Sequence, residues 1–128
     1  MSWQTILAIG SGGFIGAVVR AYLNGFINRN VPHELPFGTL GVNVLGSLIL
    51  GILFALFTYS ELFSTPMKSF LSTGMMGALT TYSTFALETF WLFNAGSFVL
   101  GLTNIVLNVV ATILAAGTGF KTIEYFLK

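Results

Sequence analysis

The sequence predicts an all-α integral membrane fold of four transmembrane helices, the third of them broken at mid-membrane. Three observations predict it. Charged residues make up 7% of the 128-residue chain and hydrophobic residues 55%, whereas roughly a quarter of a soluble domain is charged. Apolar stretches recur at the length of about 20 residues that a bilayer crossing needs, with room for four crossings and little else. One of those stretches is interrupted by GALTTYSTF between Gly77 and Phe85. There the hydroxyls of Thr80, Thr81, Ser83 and Thr84 compete for backbone hydrogen bonds beside a glycine of low helix propensity.

The first span is predicted from about Trp3 to Phe26 and the second from about Phe37 to Tyr59, joined by the polar, proline-marked NRNVPHELP. The opening MSWQTI has no basic n-region, so the first span is expected to be retained rather than cleaved. A third span follows the turn-like SELFSTP, from about Met67 to Phe93. The fourth runs from about Phe98 to Phe120 after NAGS, and the basic-ended KTIEYFLK closes the chain. Residues 1–128 thus read as one four-span membrane domain. No repeat, low-complexity tract or nucleic-acid-binding basic patch interrupts it, and nucleic acid is not an expected partner. The absence of cysteine excludes disulfides, thiolate metal sites and cysteine catalysis.

Four spans place Lys68, Lys121 and Lys128 on one side and Arg20 and Arg29 on the other. That is almost no bias. A Lys/Arg asymmetry normally fixes orientation, so this chain is expected to insert both ways. Non-helical backbone at membrane depth is tolerated only where protein buries it or where it lines a cavity. The interrupted third span therefore points to an ion or substrate site.

Small and polar residues repeat at helical spacing on three spans. Ala8, Gly12 and Gly16 lead to Arg20; Asn43, Ser47 and Gly51 share a face; Asn104, Asn108, Thr112 and Ala116 share another. Small stripes by themselves read as helix-packing surfaces. The asparagines ask for more, because a buried amide needs partners in hydrocarbon and its donor end suits an anion.

GAVVR from Gly16 to Arg20, GTLGVNVLG from Gly38 to Gly46 and GALTTYSTFALE from Gly77 to Glu88 resemble the signature segments of the bacterial fluoride channel family, the CrcB or Fluc proteins. The likeness covers essentially the whole chain. It implies a passive, fluoride-selective channel of the cell inner membrane that sheds toxic fluoride. It also implies an antiparallel dual-topology homodimer with two pores and a central structural sodium ion. By that resemblance the pore is lined by Asn43 and by the ring edges of Tyr82 and Phe85, with Thr81, Ser83 and Thr84 beside them. Asn104, Asn108 and Thr112 fall on the fourth-helix polar track, and Arg20 on the vestibule. The chain departs from the family pattern at Tyr82, where phenylalanine is usual, at Ala86, where serine is usual, and at Asn104 and Asn108, where tyrosine and serine are usual.

The cation is placed by the same resemblance. The residues alone say that a break near Gly77 and Thr80 frees backbone carbonyls, and two antiparallel copies on a two-fold axis would aim four such oxygens at one point. Glu88, the one acid inside the third span, reads as an interfacial cap or hydrogen-bond anchor. The rival reading is a small dual-topology, proton-coupled multidrug transporter of the same length. That function needs a membrane-embedded acid, and the first span has none, offering Arg20 instead. His33 is the only histidine and lies in a loop, so paired haem ligation is not available. No nucleophile and base pair or metal cluster can be assembled for an enzyme.

Overall fold

The structure, a computed structural model, describes every residue from Met1 to Lys128. It is all helical: α1 Trp3–Asn30, α2 Phe37–Tyr59, α3 Thr65–Ser69, a π-helical segment Phe70–Met76, α4 Gly77–Leu79, α5 Tyr82–Asn94 and α6 Phe98–Leu127. Helix starts follow local chemistry. Ser2 Oγ accepts the Thr5 N–H at 3.1 Å, and Ser64 Oγ accepts that of Met67 at 3.3 Å with Pro66 in the first turn; both satisfy N–H groups that have no partner inside the helix. The turn before α6 uses Gly96 at φ 81°, in the left-handed region.

Helices α1, α2 and α6 are each long and apolar enough to cross a membrane. The expected third crossing is instead assembled from α3, the π segment, α4 and α5. Helix continues past two of the expected span ends, to Asn30 in α1 and to Leu127 in α6. The break falls inside the expected GALTTYSTF run, at its threonines rather than its glycine. Gly77 is helical at φ −61° and ψ −35° and donates its N–H to the Ser72 and Gly74 carbonyls. The chain leaves the helix at Thr80 and Thr81, whose ψ values are 156° and 118°. Side-chain competition sets the site of the break, and the glycine's weak propensity is overridden by the bonds it keeps.

Packing is inverted relative to a water-soluble domain. The largest fully buried side chains are Val42, Asn104 and Thr39, while Trp3, Phe14, Phe98 and Val99 face outward. Lipid tails solvate those outer residues as well as protein would, so helix association relies on close van der Waals contact between small residues. The Ala8, Gly12 and Gly16 stripe serves that purpose. A methyl group at Gly12 would overlap the Phe70 carbonyl, and one at Gly16 the Met75 carbonyl. On the other side of the bundle, Gly51 of α2 backs onto the Ala116 carbonyl of α6, and Gly119 onto that of Leu48.

Candidate ion pathway at the helix break

Thr81 is where the site is built. Its φ of −146° takes it out of the helix, and its hydroxyl accepts the Thr84 N–H at 3.3 Å, so it ends the break and caps α5. The Thr81 and Thr84 hydroxyls lie 3.0 Å apart. In a continuous helix the Thr81 N–H would serve the Gly77 carbonyl. Here it donates to Asn43 Oδ1 at 2.7 Å. Asn43 replies by donating Nδ2–H to the Thr81 carbonyl at 3.1 Å. One side chain of α2 thus satisfies both backbone groups of the broken residue, an arrangement hydrocarbon demands because an unpaired peptide group there costs several kcal/mol.

Asn43 has a second amide hydrogen, and it goes to Asn108 Oδ1 at 3.1 Å. Asn108 donates in turn to the Asn104 carbonyl at 2.9 Å and to Asn104 Oδ1 at 3.1 Å. Asn104 Nδ2 donates to Thr89 Oγ1 at 2.9 Å, and the Thr89 hydroxyl donates to the Phe85 carbonyl at 2.7 Å. Thr112, one turn beyond Asn108, donates to the Asn108 carbonyl. Asn43, Asn104, Asn108, Thr81 and Thr89 are all buried. Such groups are retained in an apolar interior only when paired, and here they are.

Beside this network lies a cavity of about 250 Å³ lined by Asn43, Thr81, Tyr82, Phe85, Asn108 and Thr112, among others. The structure therefore gathers six of the sequence-predicted pore residues around one space. Ser83, Thr84 and Asn104 are not on its wall. Ser83 is exposed, and Asn104, at 1% exposure, sits behind Asn108. The Tyr82 and Phe85 rings meet edge to face, centroids 5.5 Å apart at 67°, the geometry that turns a positive ring edge toward its neighbour's negative face. Tyr82 is 82% exposed within one copy.

Arg20 of α1 is half-buried and points its Nη1 at the Thr80 carbonyl, 3.5 Å away. Its charge therefore stands beside the break as well as near the end of the apolar stretch. Glu88 lies in the body of α5 and so caps nothing; half-buried, its carboxylate faces the Thr39 hydroxyl of α2, in keeping with a hydrogen-bond anchor, although neither its Oε1 nor Thr39 Oγ1 has a close partner. Glu34, Glu88, Trp91 and Ser97 line a separate cavity of about 330 Å³ near the α1–α2 connection.

Thr89 is absent from the residues the sequence singles out. Its one local signal is its position one turn after Phe85, and that signal is weak because threonines commonly bond back to a helix carbonyl.

Comparison with known proteins agrees with this geometry. The profile of the family described as CrcB-like protein, Camphor Resistance (CrcB), matches residues 7–120. A protein of Sulfurimonas denitrificans named fluoride-specific ion channel FluC is 64% identical over 128 residues, covering 100% of this chain and 99% of that protein. A like-named protein of Nautilia profundicola is 52% identical, with 100% of both chains covered. Another from Campylobacter jejuni is 44% identical over 117 residues, 91% of this chain and 95% of its own. On the profile match and these full-length identities, the chain belongs to the CrcB family.

Proposed function

We propose that this chain is a passive, fluoride-selective channel, not an enzyme, and that it works as an antiparallel dual-topology homodimer with two pores in the bacterial inner membrane. The observation that carries this reading is the cavity at the break. It lies at the break in the third crossing, is lined by the amides of Asn43 and Asn108, the hydroxyls of Thr81 and Thr112 and the residues Tyr82 and Phe85, and has no acid on its wall. The relatives' name, fluoride-specific ion channel, supports the choice of ion.

The chemistry follows from hydration. Fluoride is small and holds water tightly, so a pore must replace that water with positive electrostatic features along the path. The amides of Asn43 and Asn108 and the Thr112 hydroxyl put polar groups on the wall; their hydrogens are engaged within the network, so they serve the ion by exchanging one of those partners for it. The edges of Tyr82 and Phe85 supply a weaker positive field without a fixed charge that would trap the ion. Arg20 raises the local anion concentration near the entrance. A second copy would cover the open side of the cavity, where Tyr82 stands uncovered, and symmetry would then give two equivalent paths.

The central sodium ion belongs to the same proposal. The Gly77 carbonyl loses its usual helical donor when Thr81 turns to Asn43, and the only side chain approaching the Thr80 carbonyl is Arg20, at the limit of hydrogen bonding. These two carbonyls from each copy would hold the ion, which supplies charge to oxygens that protein donors leave under-served. Carbonyl oxygen is the right donor for a hard monovalent cation.

The multidrug-transporter alternative is not favoured, because the cavity offers no carboxylate to exchange protons for a cationic drug. The test is fluoride efflux from liposomes containing the purified protein, started with a potassium ionophore. Protein-dependent efflux of fluoride with chloride retained is the expected outcome. Absence of fluoride efflux from well-folded protein overturns the reading.

A further inference from the structure

The hydrogen bonds from Thr81 to Phe85 run in one direction. The Thr81 N–H donates to Asn43, Asn43 to Asn108, Asn108 to Asn104, Asn104 to Thr89, and Thr89 to the Phe85 carbonyl. Each asparagine accepts on its oxygen and donates from its nitrogen to the next. Both ends are fixed by backbone chemistry, since a peptide N–H can only donate and a carbonyl can only accept. Turning over Asn43 or Asn108 would set donor against donor on one side and acceptor against acceptor on the other, and turning over Asn104 would set its nitrogen against that of Asn108. All three amides therefore point one way, and the aligned bonds polarise one another.

We propose that Thr89 and Asn104 are positioning residues of the pore, tying the α6 face that carries Asn108 to Phe85 of α5 and so setting the spacing of the two across the cavity. This rests on the channel reading above. Asn104 is 1% exposed and lies off the cavity wall, so it acts through Asn108 rather than on the ion. Thr89 closes the relay by accepting from Asn104 and donating to the Phe85 carbonyl, the same residue whose ring edges the cavity. Asn43 keeps its orientation from the Thr81 backbone and Asn108 from Asn43 and the Asn104 backbone carbonyl, so removing the Thr89 hydroxyl does not turn those amides over. It cuts the one side-chain tie from Asn104 of α6 to α5, and the spacing between Asn108 and Phe85 across the cavity is then no longer held.

The test compares Thr89→Val, which keeps shape and loses the hydroxyl, with Thr89→Ser, which keeps the hydroxyl, in the liposome assay. Thr89→Val is expected to lower fluoride flux at least tenfold while purified protein still elutes as wild type does, and Thr89→Ser to restore flux to within about threefold of wild type. Asn104→Leu combined with Thr89→Val should cost little more than either change alone, because both cut one chain; independent packing defects would multiply. Should Asn104→Leu fail to fold, the Val and Ser pair decides. Flux in Thr89→Val equal to wild type, loss in Thr89→Ser equal to that in Thr89→Val, or multiplicative losses in the double variant each overturn the proposal. Lack of flux in wild type itself would instead overturn the channel reading.

Discussion

Asn28, near the end of α1, accepts the Gly38 N–H through its Oδ1 at 2.9 Å, so the first helix caps the second from the side. α2 needs this help because Pro36, at its N-cap position, provides no side-chain acceptor. Gly38 permits the approach, since a Cβ there would overlap the Asn24 side chain. Replacing Asn28 with alanine is expected to cost about 1 kcal/mol of stability, the ordinary value of a lost cap. A detergent melting curve checks this, and Asn28→Asp, which keeps the acceptor, should recover most of the loss.

The proposed pore wall can be separated from packing by two substitutions. Phe85→Ile keeps bulk and loses the ring edge, while Asn43→Asp keeps the acceptor for Thr81 and loses both amide donors. Each should cut fluoride flux more than tenfold in liposomes. Asn43→Asp should also lower stability by about 1–3 kcal/mol, because the Asn108 oxygen and the Thr81 carbonyl lose a donor. Normal flux in both would remove these residues from the pathway.

Tyr82→Phe is the informative contrast. It deletes only a hydroxyl that bonds to nothing in its own chain, and flux should stay within about tenfold, equivalent to about 1.4 kcal/mol in barrier. Complete loss would show that the hydroxyl itself contacts the ion.

Gly77 tests the meeting of two copies. A Cβ at this position would find nothing nearer than 3.6 Å in its own chain, so Gly77→Leu should leave the monomer fold intact. It should nonetheless weaken the dimer, and so should exchanging sodium for a large organic cation. Cross-linking or size-exclusion profiles read the result. A Gly77→Leu dimer as stable as wild type, with or without sodium, removes the axial cation site.

Topology gives a further test. Three lysines appended after Lys128 would lie beyond the point where the Tyr59 hydroxyl donates to Glu124 Oε2 at 2.7 Å, the contact that ties the end of α6 to α2. The added charge should lock one orientation and abolish function in cells expressing that copy alone, with recovery when an oppositely biased copy is coexpressed. Full fluoride resistance from the locked copy alone would rule out the antiparallel assembly.

Much of this architecture was legible in the sequence because membrane spans are written in local composition. The hydroxyl run located the break to within a few residues, and the spacing of Asn104 and Asn108 put both on one face. What stayed hidden was non-local. Whether Thr80 or Gly77 ends the helix depends on Asn43 reaching across from α2, and Thr89 gains its role only because Asn104 arrives from α6. The π segment had no sequence signal either: FLSTGMM differs little from ordinary α-helix, and its wider turn fits the close seat of Gly12 and Gly16 on its carbonyls.

That wide turn sets the rotational phase of everything after it. A π turn accommodates one residue more than the α-helical repeat, and each residue of an α-helix advances the face by about 100°. Straightening this segment to plain α-helix at its present length would therefore swing the Gly77 and Thr80 carbonyls by about 100°, whereas deleting one residue as it straightens would leave them near their present heading. The extra residue of the wide turn is what keeps the break aimed as it is. A substitution between Phe70 and Met76 that favoured α over π geometry would misaim the break without altering a single residue on the cavity wall.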